Sequence, residues 1–92
     1  MKDPGSNKVI SEMLHELSEY LLRKGESLYK AKAYRKAAVI VKMLPYDLIH
    51  MEQLTSIKGI GPTLSYTIEL MLATGTCPLL EGLRREFGGK IQ

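Results

Sequence analysis

The sequence predicts an all-α fold, a compact domain of four to five helices. Three observations carry that reading. Apolar residues recur at three- and four-residue intervals along most of the chain. Gly and Pro interrupt those periodic runs at separations typical of helices. No alternating run of β-branched residues argues for a sheet. The 92 residues are 45% apolar and 25% charged, which is globular composition for one small domain. There is no Trp and a single Phe, so Leu, Ile, Met, Val and Ala must build the core, with Tyr helping.

The elements follow in order. Ser6 or Asn7 can cap a first helix, because both side chains accept from free backbone N–H groups. Ile10, Met13, Leu14, Leu17 and Leu21 form its apolar stripe, with Glu12, Glu16 and Glu19 on the other side. Gly25, after Arg23 and Lys24, stops it. Ser27 caps a second helix that runs to Met43 or Leu44, where Pro45 ends it. Its buried stripe is Tyr34, Ala37, Ala38, Val41 and Leu44, and the small alanines admit a close neighbour. Met51 to Ile57 reads as a short helix or helical turn. Pro62 suits the first position of the next helix, which Gly75 ends, and Pro78 opens a last short helix carrying Leu79, Leu80, Leu83 and Phe87. The expected domain is 7–87, with flexible ends at 1–6 and 88–92.

Composition also excludes classes of function. No apolar run approaches the ~20 residues of a membrane span, and Met1 to Ser6 is polar, unlike a signal peptide. The single cysteine, Cys77, excludes an internal disulfide and fits a reducing compartment, and a buried, inert thiol is expected. His15 and His50 have no second ligand at metal spacing. These features place the chain inside the cell, cytoplasmic or nucleoid-associated, or nuclear in a eukaryote. The formal charge is +3, but it is unevenly spread. Lys24, Lys30, Lys32, Arg35, Lys36 and Lys42 face only Glu26, whereas from Met43 to Leu83 only Lys58 opposes Asp47, Glu52, Glu69 and Glu81. A basic second helix suits a phosphate-rich partner, although a solvated helix face gives the same pattern. Lys30 differs from the others: it projects from the first turn, close to Tyr34.

The most specific segment is Leu54-Thr55-Ser56-Ile57-Lys58-Gly59-Ile60-Gly61-Pro62-Thr63-Leu64. An apolar helix end leads into Gly-Ile-Gly and then a helix starting at Pro62. Gly59 and Gly61 open backbone conformations closed to residues with a Cβ and let an anion approach the main chain. The free N–H groups of the next helix favour that anion, and Ile60 plugs inward. This is the pattern of a helix-hairpin-helix, which holds nucleic-acid backbone without reading bases. The wider region from Met43 to Leu83 is net negative, so the hairpin's grip must come from amides, with Lys58 and the second helix supplying charge. Thr63, Tyr66, Thr67 and Leu70 share an uncharged face, where Tyr66 points outward as a stacking candidate. Tyr20 and Tyr29 read as core-edge residues.

Tyr34-Arg35-Lys36-Ala37-Ala38, the Gly-Ile-Gly hairpin and Leu72-Ala73-Thr74-Gly75 together resemble the amino-terminal domain of family X DNA polymerases, the group containing DNA polymerase beta. The match runs from about Ile10 to Arg85. A related domain opens some structure-specific nuclease subunits. The resemblance implies binding to gapped DNA or 5′-phosphate ends in base excision repair, with Lys30 and Tyr34 holding the 5′-phosphate. It also implies a monovalent cation, Na+ or K+, on the carbonyls of Thr55, Ile57 and Ile60, with no other cofactor required. The larger partner would be the rest of a polymerase or nuclease, since the chain has no room for a polymerase site.

In that family a lysine after the hairpin forms a Schiff base with the 5′-deoxyribose phosphate. Here Thr67 stands at that position and Thr63 at a phosphate-binding lysine's, and Pro62 to Cys77 holds no lysine. Neither a threonine hydroxyl nor a tyrosine phenol forms an iminium, so specialised lyase chemistry is not expected. Two alternatives stand beside DNA binding by Lys30, Lys32, Tyr34, Arg35, Lys36, Lys58, Gly59, Ile60, Gly61, Thr63, Tyr66 and Thr67. One is a lyase with Lys30 or Lys58 as substitute amine. The other is a protein-interaction module on the same fold.

Overall fold

The computed structural model describes residues 5–25, 27–50 and 53–88. Four α-helices and two 3-10 turns account for these residues, in the order α1 (Gly5–Lys24), α2 (Leu28–Met43), turns Leu48–His50 and Leu54–Ser56, α3 (Pro62–Thr74) and α4 (Pro78–Phe87). No strand occurs among the described residues.

Local signals set most boundaries. Gly25 takes a left-handed φ of 72° and its amide closes α1 on the Leu21 carbonyl at 3.0 Å. Ser27 caps α2, its Oγ accepting from the Lys30 amide at 3.2 Å. Pro62 and Pro78 start α3 and α4, and Gly75 ends α3 at φ 83°.

The core lies where α1 and α2 pack along their lengths, closed by α3 and α4. Ile10, Leu14, Leu17, Ala31, Ala37, Ala38 and Val41 are buried between the first two helices. The alanines permit close approach, and the buried Ser11 hydroxyl donates to the Ala38 carbonyl at 2.7 Å across the interface. Ile68, Met71, Leu80 and Leu83 close the other side. Arg84 forks onto Glu16, with Nε and Nη2 each 2.8 Å from a carboxylate oxygen, joining α4 to α1. Beside it Tyr20 is fully buried and stacks on Phe87, ring centroids 5.3 Å apart.

Several expectations are corrected. Ser6 and Asn7 do not cap α1, which already begins at Gly5. They tie it to the segment after α2 instead. Asn7 Nδ2 donates to the Tyr46 carbonyl at 2.7 Å, its Oδ1 accepts from the Leu48 amide at 2.8 Å, and Ser6 Oγ donates to Asp47. At the other end Gly88 is the C-cap residue of α4, at φ 69°; residues 1–4 and 89–92 of the expected flexible ends lie outside the described residues. Of the short helix or helical turn expected over Met51 to Ile57, the structure shows the turn, a 3-10 turn at Leu54–Ser56, with Met51 and Glu52 outside the described residues. Tyr20 is core rather than core edge, and Tyr29 is 84% exposed.

Candidate nucleic-acid interface

The hairpin is built from its apolar residues outward. Leu54, Ile57 and Ile60 are buried and anchor the loop in the core. With those side chains inward, Lys58, Gly59, Gly61, Pro62 and Thr63 are left on the surface. The Ile60 amide closes the turn on the Ile57 carbonyl at 3.0 Å, and the Ser65 amide bonds the Gly61 carbonyl at 2.8 Å. The amides of Gly59, Gly61, Thr63 and Leu64 donate no hydrogen bond among the described residues. Gly61 is the N-cap residue and supplies no side-chain cap. The start of α3 therefore presents free N–H groups and the positive end of the helix dipole beside two exposed glycines.

The two glycines do different work. Gly59 has φ 95°, and a Cβ built there would lie 2.6 Å from Ile40 Cδ1 on α2. It is glycine for its backbone, and a Cβ there would also have to push aside the tip of the Ile40 side chain. Gly61 has φ −88° and ψ −176°, extended backbone open to any residue, and a Cβ there would meet nothing within 4 Å. The expectation that both glycines need special conformations holds for Gly59 alone.

Behind the hairpin lies a second cluster. Tyr34 is buried in the inner stripe of α2, and its hydroxyl faces that of Thr67 on α3. Burial pushes the Tyr34 hydroxyl above its ordinary value, the bond to Thr67 opposes that shift, and the nearby Cys77 adds to it. Thr67 is thus buried, not part of an exposed face with Thr63 and Tyr66, both of which are exposed. Tyr66 is 64% exposed, two residues after Leu64. Cys77 is buried and free.

The basic residues separate into two groups. Arg35 pairs with Glu19 at 3.0 Å. Lys30, Lys32, Lys36, Lys42 and Lys58 are exposed and have no ion-pair partner among the described residues. Lys30 sits in the first turn of α2, one turn before Tyr34. His15 and His50 are exposed. An open groove of about 300 Å3 runs between Leu48, Ile49 and Leu54 on one side and Leu72 and Ala73 on the other, with Glu69 at its lip. Its apolar lining and carboxylate do not suit an anion. No described helix is long and apolar enough to cross a membrane.

Buried Ile57 and Ile60, the left-handed Gly59 between them and the start of α3 without a side-chain cap define a helix-hairpin-helix. A family model described as a helix-hairpin-helix domain matches residues 5–77, and the chain belongs to that family. It is also 30% identical over 79 residues, 86% of its length, to a Bacillus subtilis (strain 168) protein named DNA polymerase/3'-5' exonuclease PolX. The aligned part covers 14% of that relative. No solved structure matches the chain.

Proposed function

We propose that this chain is a DNA-binding domain of the family X polymerase type that holds the sugar-phosphate backbone without reading sequence. The observation that carries this reading is the set of unpaired amides at Gly59, Gly61 and Thr63, all exposed, and at half-buried Leu64. A phosphate oxygen satisfies such donors, and the α3 dipole favours its charge. Lys58 adds a point charge at the turn, and Tyr66 offers an aromatic face to an unpaired base. The likeness to PolX, a protein named as a DNA polymerase, supports the same reading.

The finer part of the proposal concerns the 5′-phosphate of gapped DNA, as met in base excision repair. Lys30, exposed at the start of α2, is the cation for it. Tyr34 contributes by supporting the helix that carries Lys30, because its side chain is buried and faces Thr67. Arg35 is exposed and paired with Glu19, so its contribution is smaller than that of the unpaired lysines.

A monovalent cation fits the hairpin carbonyls. Those of Thr55 and Ile60 accept no hydrogen bond among the described residues, and that of Ile57 accepts one, leaving a lone pair free. Such an ion would offset the negative charge of the carbonyls facing a phosphate.

Titration with a gapped duplex, with and without a 5′-phosphate, tests the proposal. Binding should weaken with salt, with a log–log slope of roughly −0.9 per duplex phosphate contacted. The phosphorylated gap should bind more tightly, and Lys30→Ala should abolish the difference. Equal affinity for both gaps would overturn the 5′-phosphate reading, and no salt-sensitive binding would overturn DNA binding itself. Borohydride trapping on a gap bearing the sugar phosphate decides the chemistry. A rapid adduct lost in Lys30→Ala would make the chain a lyase, an outcome that the buried hydroxyl pair at Tyr34 and Thr67 does not provide for.

A further inference from the structure

The outer face of α2 has a pattern that neither the core nor a phosphate explains. Tyr29, Lys32, Lys36, Val39 and Met43 follow one another at intervals of three, four, three and four residues. At about 100° per residue they fall within a strip about 80° wide and about 21 Å long. That strip is opposite Ala31, Tyr34, Ala37, Ala38 and Val41, the stripe that α2 buries. All five are exposed, Tyr29 by 84%, Val39 by 58% and Met43 by 75%. Three-four spacing is the seam along which one helix packs against another.

The chemistry of the seam is mixed. Its ends are apolar and its middle is two lysines with no ion-pair partner among the described residues, although Arg35 on the same helix is paired. A phosphate backbone would suit the lysines but would gain nothing from Val39 and Met43. A helix packed on the seam buries the apolar ends, and it must then offer carboxylates to the lysines, because an unpaired charge there is costly. Polar pairs at seam positions also fix register.

We propose that the outer face of α2 docks an amphipathic helix of a partner protein, apolar at the ends of its seam and acidic at two consecutive seam positions between them. The inference does not rest on DNA binding, since the exposures and spacing stand without it. Ile40, whose Cδ1 approaches Gly59, sits at the edge of the seam. A docked helix would therefore lie alongside the hairpin.

The probe is a synthetic three-heptad helix with Leu at the outer seam positions and Glu at the two inner ones, and its counterpart with Lys at those two. Binding is read on the 15N-labelled chain by amide shifts and by fluorescence anisotropy. The Glu peptide should shift Tyr29, Lys32, Lys36, Val39 and Met43 and bind at least about tenfold more tightly than the Lys peptide, a difference of about 1.4 kcal/mol. The exposed pair V39D/M43D should abolish binding while circular dichroism stays unchanged. Equal binding of the two peptides, or none, overturns the proposal. So does sedimentation showing a dimer that V39D/M43D dissociates, which makes a second copy the occupant. Gapped DNA that shifts Val39 and Met43 as strongly as the hairpin overturns it in favour of a nucleic-acid face.

Discussion

Gly59 and Gly61 are two residues apart, yet a methyl group added at each should have opposite consequences. At Gly59 it meets both a left-handed backbone and Ile40 Cδ1 at 2.6 Å. Gly59→Ala should therefore lower the stability to urea by about 1–2 kcal/mol. At Gly61 the backbone is extended and the space empty, so Gly61→Ala should leave stability within about 0.5 kcal/mol. It should nevertheless weaken DNA binding, because the methyl projects from the exposed turn that a phosphate must approach. Equal stability loss in the two variants would contradict this division. The glycine pair itself is legible in the sequence, since Gly-Ile-Gly before a proline is a local signal. Which glycine carries the strain is not, because Ile40 approaches from another helix. The same limit applies to Asn7 and Thr67. Their partners, Tyr46 and Leu48 for one and Tyr34 for the other, lie more than thirty residues away in sequence. Periodicity alone read them as a cap and as part of an outer face.

At the scale of elements, the helices are readable because their ends are written locally, in Ser27, Gly25, Pro62, Gly75 and Pro78. How the helices are clamped together is not. Glu16 reads as one of several carboxylates on an exposed face, but it holds α4 through Arg84. The Arg84 guanidinium keeps the Glu16 carboxyl below its ordinary value near 4.5. Because the folded value is the lower one, the pair stabilises the fold fully above the unfolded value and loses its effect as pH falls through the folded one. Wild type should therefore exceed Glu16→Gln in thermal midpoint at pH 6, and the two should converge on acidification below pH 4. The difference at neutral pH should stay near or below about 1 kcal/mol, as both side chains reach solvent. A gap that persists at low pH would mean that the contact acts through packing instead of charge. At the alkaline end, burial raises the hydroxyls of both Tyr20 and Tyr34 above 10. Their contribution is present below that value and is lost as pH rises through the folded values.

Across the whole molecule, charge and shape separate into two working surfaces. The hairpin offers amides with little net charge. The α2 face offers lysines whose field can draw a polyanion toward those amides before any contact forms. The ion pairs Arg35–Glu19, Arg84–Glu16 and Lys24–Glu86 engage part of the basic count in holding helices together. The sequence, counting charges by segment, assigns Arg35 to the DNA side. The fold pairs it with Glu19 of α1, and leaves Lys30, Lys32, Lys36, Lys42 and Lys58 as exposed cations without an ion-pair partner among the described residues. The central claim is that main-chain N–H groups at the hairpin receive the phosphate. Amide proton and nitrogen shifts of the labelled chain, followed while a gapped duplex is added at low salt, test it most directly. The largest shifts should fall on Gly59, Gly61, Thr63 and Leu64 and should disappear as salt is raised. Saturable binding that leaves those four amides unmoved would contradict the account.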